Sequence, residues 1–526
     1  MNSWSIGAAL IVSLQLSSAT ASPTQSVGET SFENSGAPAA QAEFARGLAQ
    51  LHNFEYDDAA AHFRKAQESD ATFAMAYWGE AMTKNHPVWH EQDREAGREV
   101  LKRLGTTADN RAAKAKTDRE KLYLRAVETL YGDGTKADRD QEYEAAMEAL
   151  HTRYPNDVDA TSFYALSILG GAEHGRDFAI YMRAAAVLEE VFPGHRTHPG
   201  VVHYLIHSYD DAIHAPLGLR AARIYSQIAP DAGHAQHMTS HIFLALGMWD
   251  EVIKANETAM GVVNQHRSAL GRAPWSCGHY GEWLHYAYLQ RGRIEDARAI
   301  LVKCREEVGQ EVVESKRPGA AKKGDRSMTA SFTRMRTDFL INSQLWGDAA
   351  ATWSFPDVAG QIDSQLTFDF ATALSELKQR DAHAQEAVRR FEDTRRKFVI
   401  WNAKQELPDE SADKRSAILS GELEALLEVS RGRPAKAIDR LMKLADQEHA
   451  LPVEFGPPLV NKPVDELLGE ILLEQHDMGG AHRAFTAALA AAPGRKVAAA
   501  GLRASRGSTS ESVANEVPDA AKAAHH

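Results

Sequence analysis

Residues Leu468 to Pro493 read LGEILLEQHDMGGAHRAFTAALAAAP. Small residues fall at Gly469, Ala481 and Ala488, an aromatic at Phe485, and a proline closes the stretch. Near the front of the chain, Gly47, Ala59, Phe63 and Ala66 repeat the same offsets of 12, 4 and 3 residues. The physics behind the pattern is steric. Small residues let two paired helices approach, the aromatic fills the gap, and proline stops the second helix. Helix–turn–helix units with a period of about 34 residues are the tetratricopeptide signature.

Working outward, weaker copies occupy the middle of the chain. Ala297, Leu301 and Cys304 keep the spacing, as do Ala437, Leu441 and Leu444. Trp249 to Ala259 reads as a further second helix. The interior shows helical periodicity broken by Gly, Pro and Asp turns, without strand-like alternation. The expected fold is therefore all-α, a superhelix of tetratricopeptide-like hairpins (an α-solenoid) with a concave face. Its expected extent is residues 41–502, interrupted by a basic, Gly- and Pro-containing loop near 314–326.

The ends read differently. Residues 1–21 hold an apolar run from Ile6 to Leu16 and a small-residue cleavage signature at Ala19-Thr20-Ala21. That pattern is expected of a signal peptide, although no Lys or Arg precedes the run. The protein is thus expected to be exported, to a periplasmic or extracellular space. No other run approaches the roughly 20 apolar residues of a membrane span, so no transmembrane segment is expected. Residues 22–40 are expected as a flexible leader and 503–526 as a disordered tail. His525 and His526 lie at the end of that tail and carry no weight as ligands.

Composition narrows the function classes. The chain has 526 residues, 59 basic and 72 acidic, for a net charge of −13. An acidic balance without a long basic stripe argues against nucleic acid as the main partner. Two cysteines exclude a Cys-based zinc ribbon and an iron–sulfur cluster. G-x-S-x-G, P-loop, dinucleotide-glycine and H-E-x-x-H motifs do not occur, which lowers the expectation of a standard hydrolase, kinase, dehydrogenase or zincin. Cys277 precedes one predicted helix and Cys304 lies in its hairpin partner. They are either two buried thiols or a disulfide, which would stabilise by roughly 3–4 kcal/mol.

Histidine is the unusual residue. Eleven of the 23 lie between His195 and His285, where an even spread would put about four. His203 and His207 are four apart, as are His237 and His241, with His234 three residues before. On a helix, residues at i and i+4 point the same way, so two imidazoles can share one metal ion. Two such helices facing each other would supply four nitrogens, from His203, His207, His237 and His241. His279 and Glu282 could add a nitrogen and a carboxylate, while Asp210, His214 and His234 are reserve ligands or groups that orient the imidazoles. The expected cofactor is a transition-metal ion; imidazole suits copper, iron or zinc without choosing among them. The alternative is a structural network of helix-capping and buried, hydrogen-bonded histidines. His86 and His198, each before a proline, fit helix capping better than ligation.

Several stretches resemble a family of exported bacterial tetratricopeptide-repeat proteins with a His-rich central segment. They are His52 to Ala59, Phe73 to Trp89, His198 to Pro216, His234 to Asp250 and Phe455 to Glu470. The resemblance implies an all-helical repeat fold and brings no catalytic role with it. Three functions follow from the residues. The first is a binding protein with a His-rich metal site in its concave core. The second is a metalloenzyme at the same site, with an open coordination position and Glu282 as candidate general base. The third is a metal-free scaffold that holds a small molecule or peptide in its groove.

Overall fold

The computed structural model describes residues 26–172, 175–315, 327–356, 358, 360–405 and 408–506. Among them the chain forms α-helix after α-helix, with one short antiparallel pair, Asn85–His86 and Glu91–Gln92. Consecutive helices pack as hairpins, and the first helices of successive hairpins stack on one another. This is the tetratricopeptide-like superhelix expected from the repeats.

The spacing of small and large residues does what steric reasoning asks of it. Phe63 sits so close to two glycines that an added Cβ would stand 3.0 Å from its ring at Gly47 and 2.3 Å at Gly79. Phe485 fills the same gap at the other end, where the distances are 2.8 Å for Gly469 and 2.2 Å for Gly501. Each aromatic thus wedges into a slot that only glycine leaves open.

Inner and outer helices differ in burial. The outer helix Ala215–Ile228 buries one face, through Ala215, Gly218, Ala221, Ala222 and Tyr225. The inner helices Val158–Gly170, Pro199–Ser208 and Gly233–Ala245 are buried along their whole length. A helix buried all round needs cover on every side. Here the superhelix curls back on itself. The first helix, Gln41–His52, packs against Pro199–Ser208. The last repeats return over the central ones: Trp249 Nε1 donates to the Gly494 carbonyl at 2.9 Å, and Arg495 Nη1 donates to Tyr286 Oη at 2.9 Å. One apolar core runs from Val27 to Ala371 and a second from Ile341 to Ala498.

Two details differ from the sequence expectation. Residues 26–37, expected within a flexible leader, are anchored extended chain. Val27 is buried and its carbonyl accepts from Asn53 Nδ2 at 2.7 Å, Ser35 bonds Glu120, and Phe32 stacks on Trp78. The helix Lys496–Ser505 reaches into the stretch expected as tail, because Val497 and Ala498 are buried. The expected signal peptide, most of the basic loop and residues 507–526 lie outside the described residues. Cys277 and Cys304 are joined as a disulfide, tying the start of the helix His279–Gln290 to the helix Ile294–Ser315. No described helix is long and apolar enough to cross a membrane.

Candidate metal centre

Three inner helices carry the imidazoles that the sequence singled out. Pro199–Ser208 brings His203 and His207, Gly233–Ala245 brings His234, His237 and His241, and His279 opens His279–Gln290. The expected four-nitrogen site is not how they assemble. His203 and His207 group with His234, while His237 and His241 group with His279. Within each group one ligand atom per residue lies within 4.8 Å of the others. The cause is helical geometry. His234 and His237 are three residues apart and stay neighbours on one helix face, 6.2 Å between ring centroids, so the two groups divide along this face and adjoin there.

In the second group the hydrogen bonds assign the protons. Asn256 Nδ2 donates to the Val252 carbonyl at 2.9 Å, so its Oδ1 is the atom that faces His237 Nδ1, at 2.6 Å. That oxygen only accepts, so His237 Nδ1 carries the hydrogen. His241 Nδ1 donates to Asp210 Oδ2 in the same way. Both Nε2 atoms are then left with lone pairs, and they face each other at 3.1 Å. Two lone pairs at that distance repel unless a cation or a proton lies between them. Burial, followed by the neighbouring His279 and His241, pushes His237 well below the ordinary imidazole range, so this ring resists the proton. Trp283 packs on both rings, 4.9 Å from His237 and 4.3 Å from His241 between centroids. His279 is exposed, so the group reaches solvent on that side.

The first group is buried. His203 Nδ1 donates to the His52 carbonyl at 2.6 Å, which again turns the lone pair to Nε2. Nε2 of His203, of His207 and of His234 has no hydrogen-bond partner. Burial pushes His203 down to about 3 and holds His207 and His234 well below the usual range. Phe54 covers the group, its ring 4.4 Å from His203, 5.7 Å from His207 and 5.6 Å from His234. Beyond Phe54 a cavity of about 860 Å³ is lined by Glu55, Tyr56, His86 and Gly233 among others.

The remaining predicted residues take other places. Asp210 orients His241, as expected of a carboxylate behind a ligand. His214 bonds Asp211, which pairs with Arg176 at 2.9 Å, and these three form a separate network. Glu282 binds Ser331 Oγ and receives two bonds from Arg334, at 2.7 and 3.0 Å. Burial works to raise this carboxyl, but Arg334 and Ser331 outweigh it and hold Glu282 below its ordinary value. An anion held this way is a weak proton acceptor, so the general-base role considered for Glu282 does not fit its surroundings.

A third group was not visible in the sequence. Asp159 Oδ1 accepts from His52 Nε2 at 2.9 Å and His198 Nε2 at 3.2 Å, all three residues being buried. His198 does cap its helix, accepting the Val201 N–H at 3.4 Å through Nδ1, and also takes part in this pairing. Asp159 lies 107 residues from His52 in sequence. One local clue existed: Gly200, where an added Cβ would stand 2.3 Å from His52 Nδ1. A second cavity, of about 390 Å³, adjoins the His237 group through Asp210 and Phe455.

No family model matches the chain, and no curated protein matches it. Among solved structures, the human IFIT1 dimer with m7Gppp-AAAA is 13% identical, covering 86% of this chain and 94% of that one, with a TM-score of 0.35. The TPR domain of P58(IPK) is 11% identical, covering 89% of this chain and 97% of that one, with a TM-score of 0.21. At these levels neither likeness bears on what this chain binds.

Proposed function

We propose that this chain is a tetratricopeptide-like protein that holds a transition-metal ion through His237, His241 and His279. The observation that carries the reading is the pair of Nε2 lone pairs facing each other at 3.1 Å, each fixed by an acceptor behind its ring. Asn256 and Asp210 hold both rings in the tautomer a metal needs and raise their basicity. Copper, zinc or iron suits an imidazole set. The Cys277–Cys304 disulfide supports an oxidising setting, and with it export to a periplasmic or extracellular space.

Three protein ligands, rather than the four of a closed structural site, favour a second reading as a metalloenzyme. An open position on the solvent-facing side at His279 would let the ion activate a small molecule. Glu282 is not the base in that version. A peptide lying in the groove would not touch the buried imidazoles, so a pure scaffold leaves the His237–His241 contact without a purpose.

The test is metal content of the untagged mature protein, by plasma mass spectrometry, in wild type and in His237→Ala with His241→Ala. The expected outcome is loss of one ion per chain with circular dichroism unchanged. Full occupancy retained in the double variant would overturn the assignment.

A further inference from the structure

We propose that His203, His207 and His234 hold a second ion, so that six imidazoles form one dinuclear copper centre. The proposal rests on the reading above for its first ion.

An unpaired buried polar atom destabilises the folded chain. The first group has three such atoms, the Nε2 atoms of His203, His207 and His234, and one ring nitrogen of each residue lies within 4.8 Å of the others. A folded chain seldom tolerates such a set unless something completes it. His203 already presents Nε2 as an acceptor, and if His207 and His234 present theirs alike, one water with two hydrogens to give cannot serve all three. A cation answers all three at once.

The two groups share a wall. His207 lies 6.0 Å from His241 between ring centroids, and His234 lies 6.2 Å from His237. Tyr280 spans them, stacking on His237 at 4.6 Å and placing its hydroxyl 3.5 Å from His234 Nδ1. The adjoining rings set the two groups side by side, and the proposed centre places one small anion between their ions.

Charge then selects the metal. All six ligands are neutral imidazoles. The carboxylates close by, Asp210 on His241 and Glu55 on the His234 backbone N–H at 2.9 Å, stand behind the rings and offset only part of the charge of two ions. Two buried divalent ions would repel strongly in so neutral a shell. The set therefore suits two cuprous ions, which halve the charge, or two cupric ions joined by hydroxide. An all-nitrogen shell also places copper first in affinity among the divalent first-row ions.

The experiment loads the full mature chain with cupric sulfate, removes excess by dialysis, and counts copper by plasma mass spectrometry and spins by electron paramagnetic resonance. Wild type is expected to hold two coppers per chain with a spin count well below two, because a bridge couples them. His203→Ala with His207→Ala, and separately His237→Ala with His241→Ala, should each hold one copper with one full spin. His207→Gln replaces the first pair if that variant does not fold. One copper in wild type, retained when His203 and His207 are removed, overturns the second site and leaves the first standing. Two coppers with two full spins in wild type overturns the bridged pair. No copper in any form overturns the reading on which the proposal rests.

Discussion

The groups around Asp159 and around His237 use the same residue type in opposite ways. In the first, a carboxylate sits between two imidazoles and accepts from both, so each Nε2 carries its hydrogen. His198 Nδ1 accepts a backbone N–H, and His52 Nδ1 faces Tyr204 Oη at 3.0 Å. The rings have spent both nitrogens on the protein and offer no lone pair to a metal, although Asp159 Oδ2 is left without a hydrogen-bond partner. In the second, the acceptors Asn256 and Asp210 stand behind the rings, at Nδ1, and the two Nε2 lone pairs meet face to face. A cluster of buried histidines is therefore not one kind of object. What decides between a structural knot and a ligand set is which nitrogen the protein has already used.

The largest expected effect lies in the closed group. Asp159→Ala leaves two buried N–H groups facing a void and should lower unfolding stability by about 3–5 kcal/mol. Denaturant unfolding of the metal-free protein measures it, and metal stoichiometry of the folded fraction should not change. An unaltered midpoint would break the contrast, because Asp159 would then not be what closes its group.

Next is the disulfide. Replacing Cys277 and Cys304 by serine should cost about 3–4 kcal/mol in the chain-entropy model. The effect should be uneven. Cys277 lies two residues before His279, whereas the Asp159 group sits on other helices. Hydrogen exchange should therefore quicken in the helix His279–Gln290 and stay slow around His52. Equal loosening of both regions would show that the two groups are not held independently.

The smallest effect sharpens the contrast at the level of one bond. Asn256→Leu removes the acceptor behind His237 and frees its ring to turn. Metal affinity should fall about 10- to 100-fold, as for other partners behind a ligand. A competition titration against a chelator of known affinity reads this out. Affinity unchanged would mean that the Asn256 contact does not set the tautomer.

The repeat was legible because its signal is local. Gly47 and Phe63, or Gly469 and Phe485, lie within one hairpin, and their fit is visible as spacing. The i, i+4 histidine pairs were legible for the same reason. Their partners were not. That His203 and His207 meet His234 rather than the His237 pair depends on how one inner helix is rotated against two neighbours. His52 and Asp159 meet because the first helix returns to the centre of the superhelix, a closure that no period in the sequence encodes. Glu282 looked like a spare carboxylate until Arg334, 52 residues on, was placed against it. The anchored stretch from Val27 to Ser35 was missed because its polar and small residues are held by distant partners such as Asn53 and Glu120, not by any pattern of its own.

The central claim is that the His237 group binds metal through imidazole nitrogen. X-ray absorption at the metal edge of the copper- or zinc-loaded protein tests it most directly. The account predicts a shell of nitrogen at about 2.0 Å with the outer scattering of imidazole rings, and one ion fewer per chain in His237→Ala with His241→Ala. Failure to take up metal, or a shell of oxygen or sulfur instead, would contradict it and make the His237–His241 contact a shared proton in a structural network.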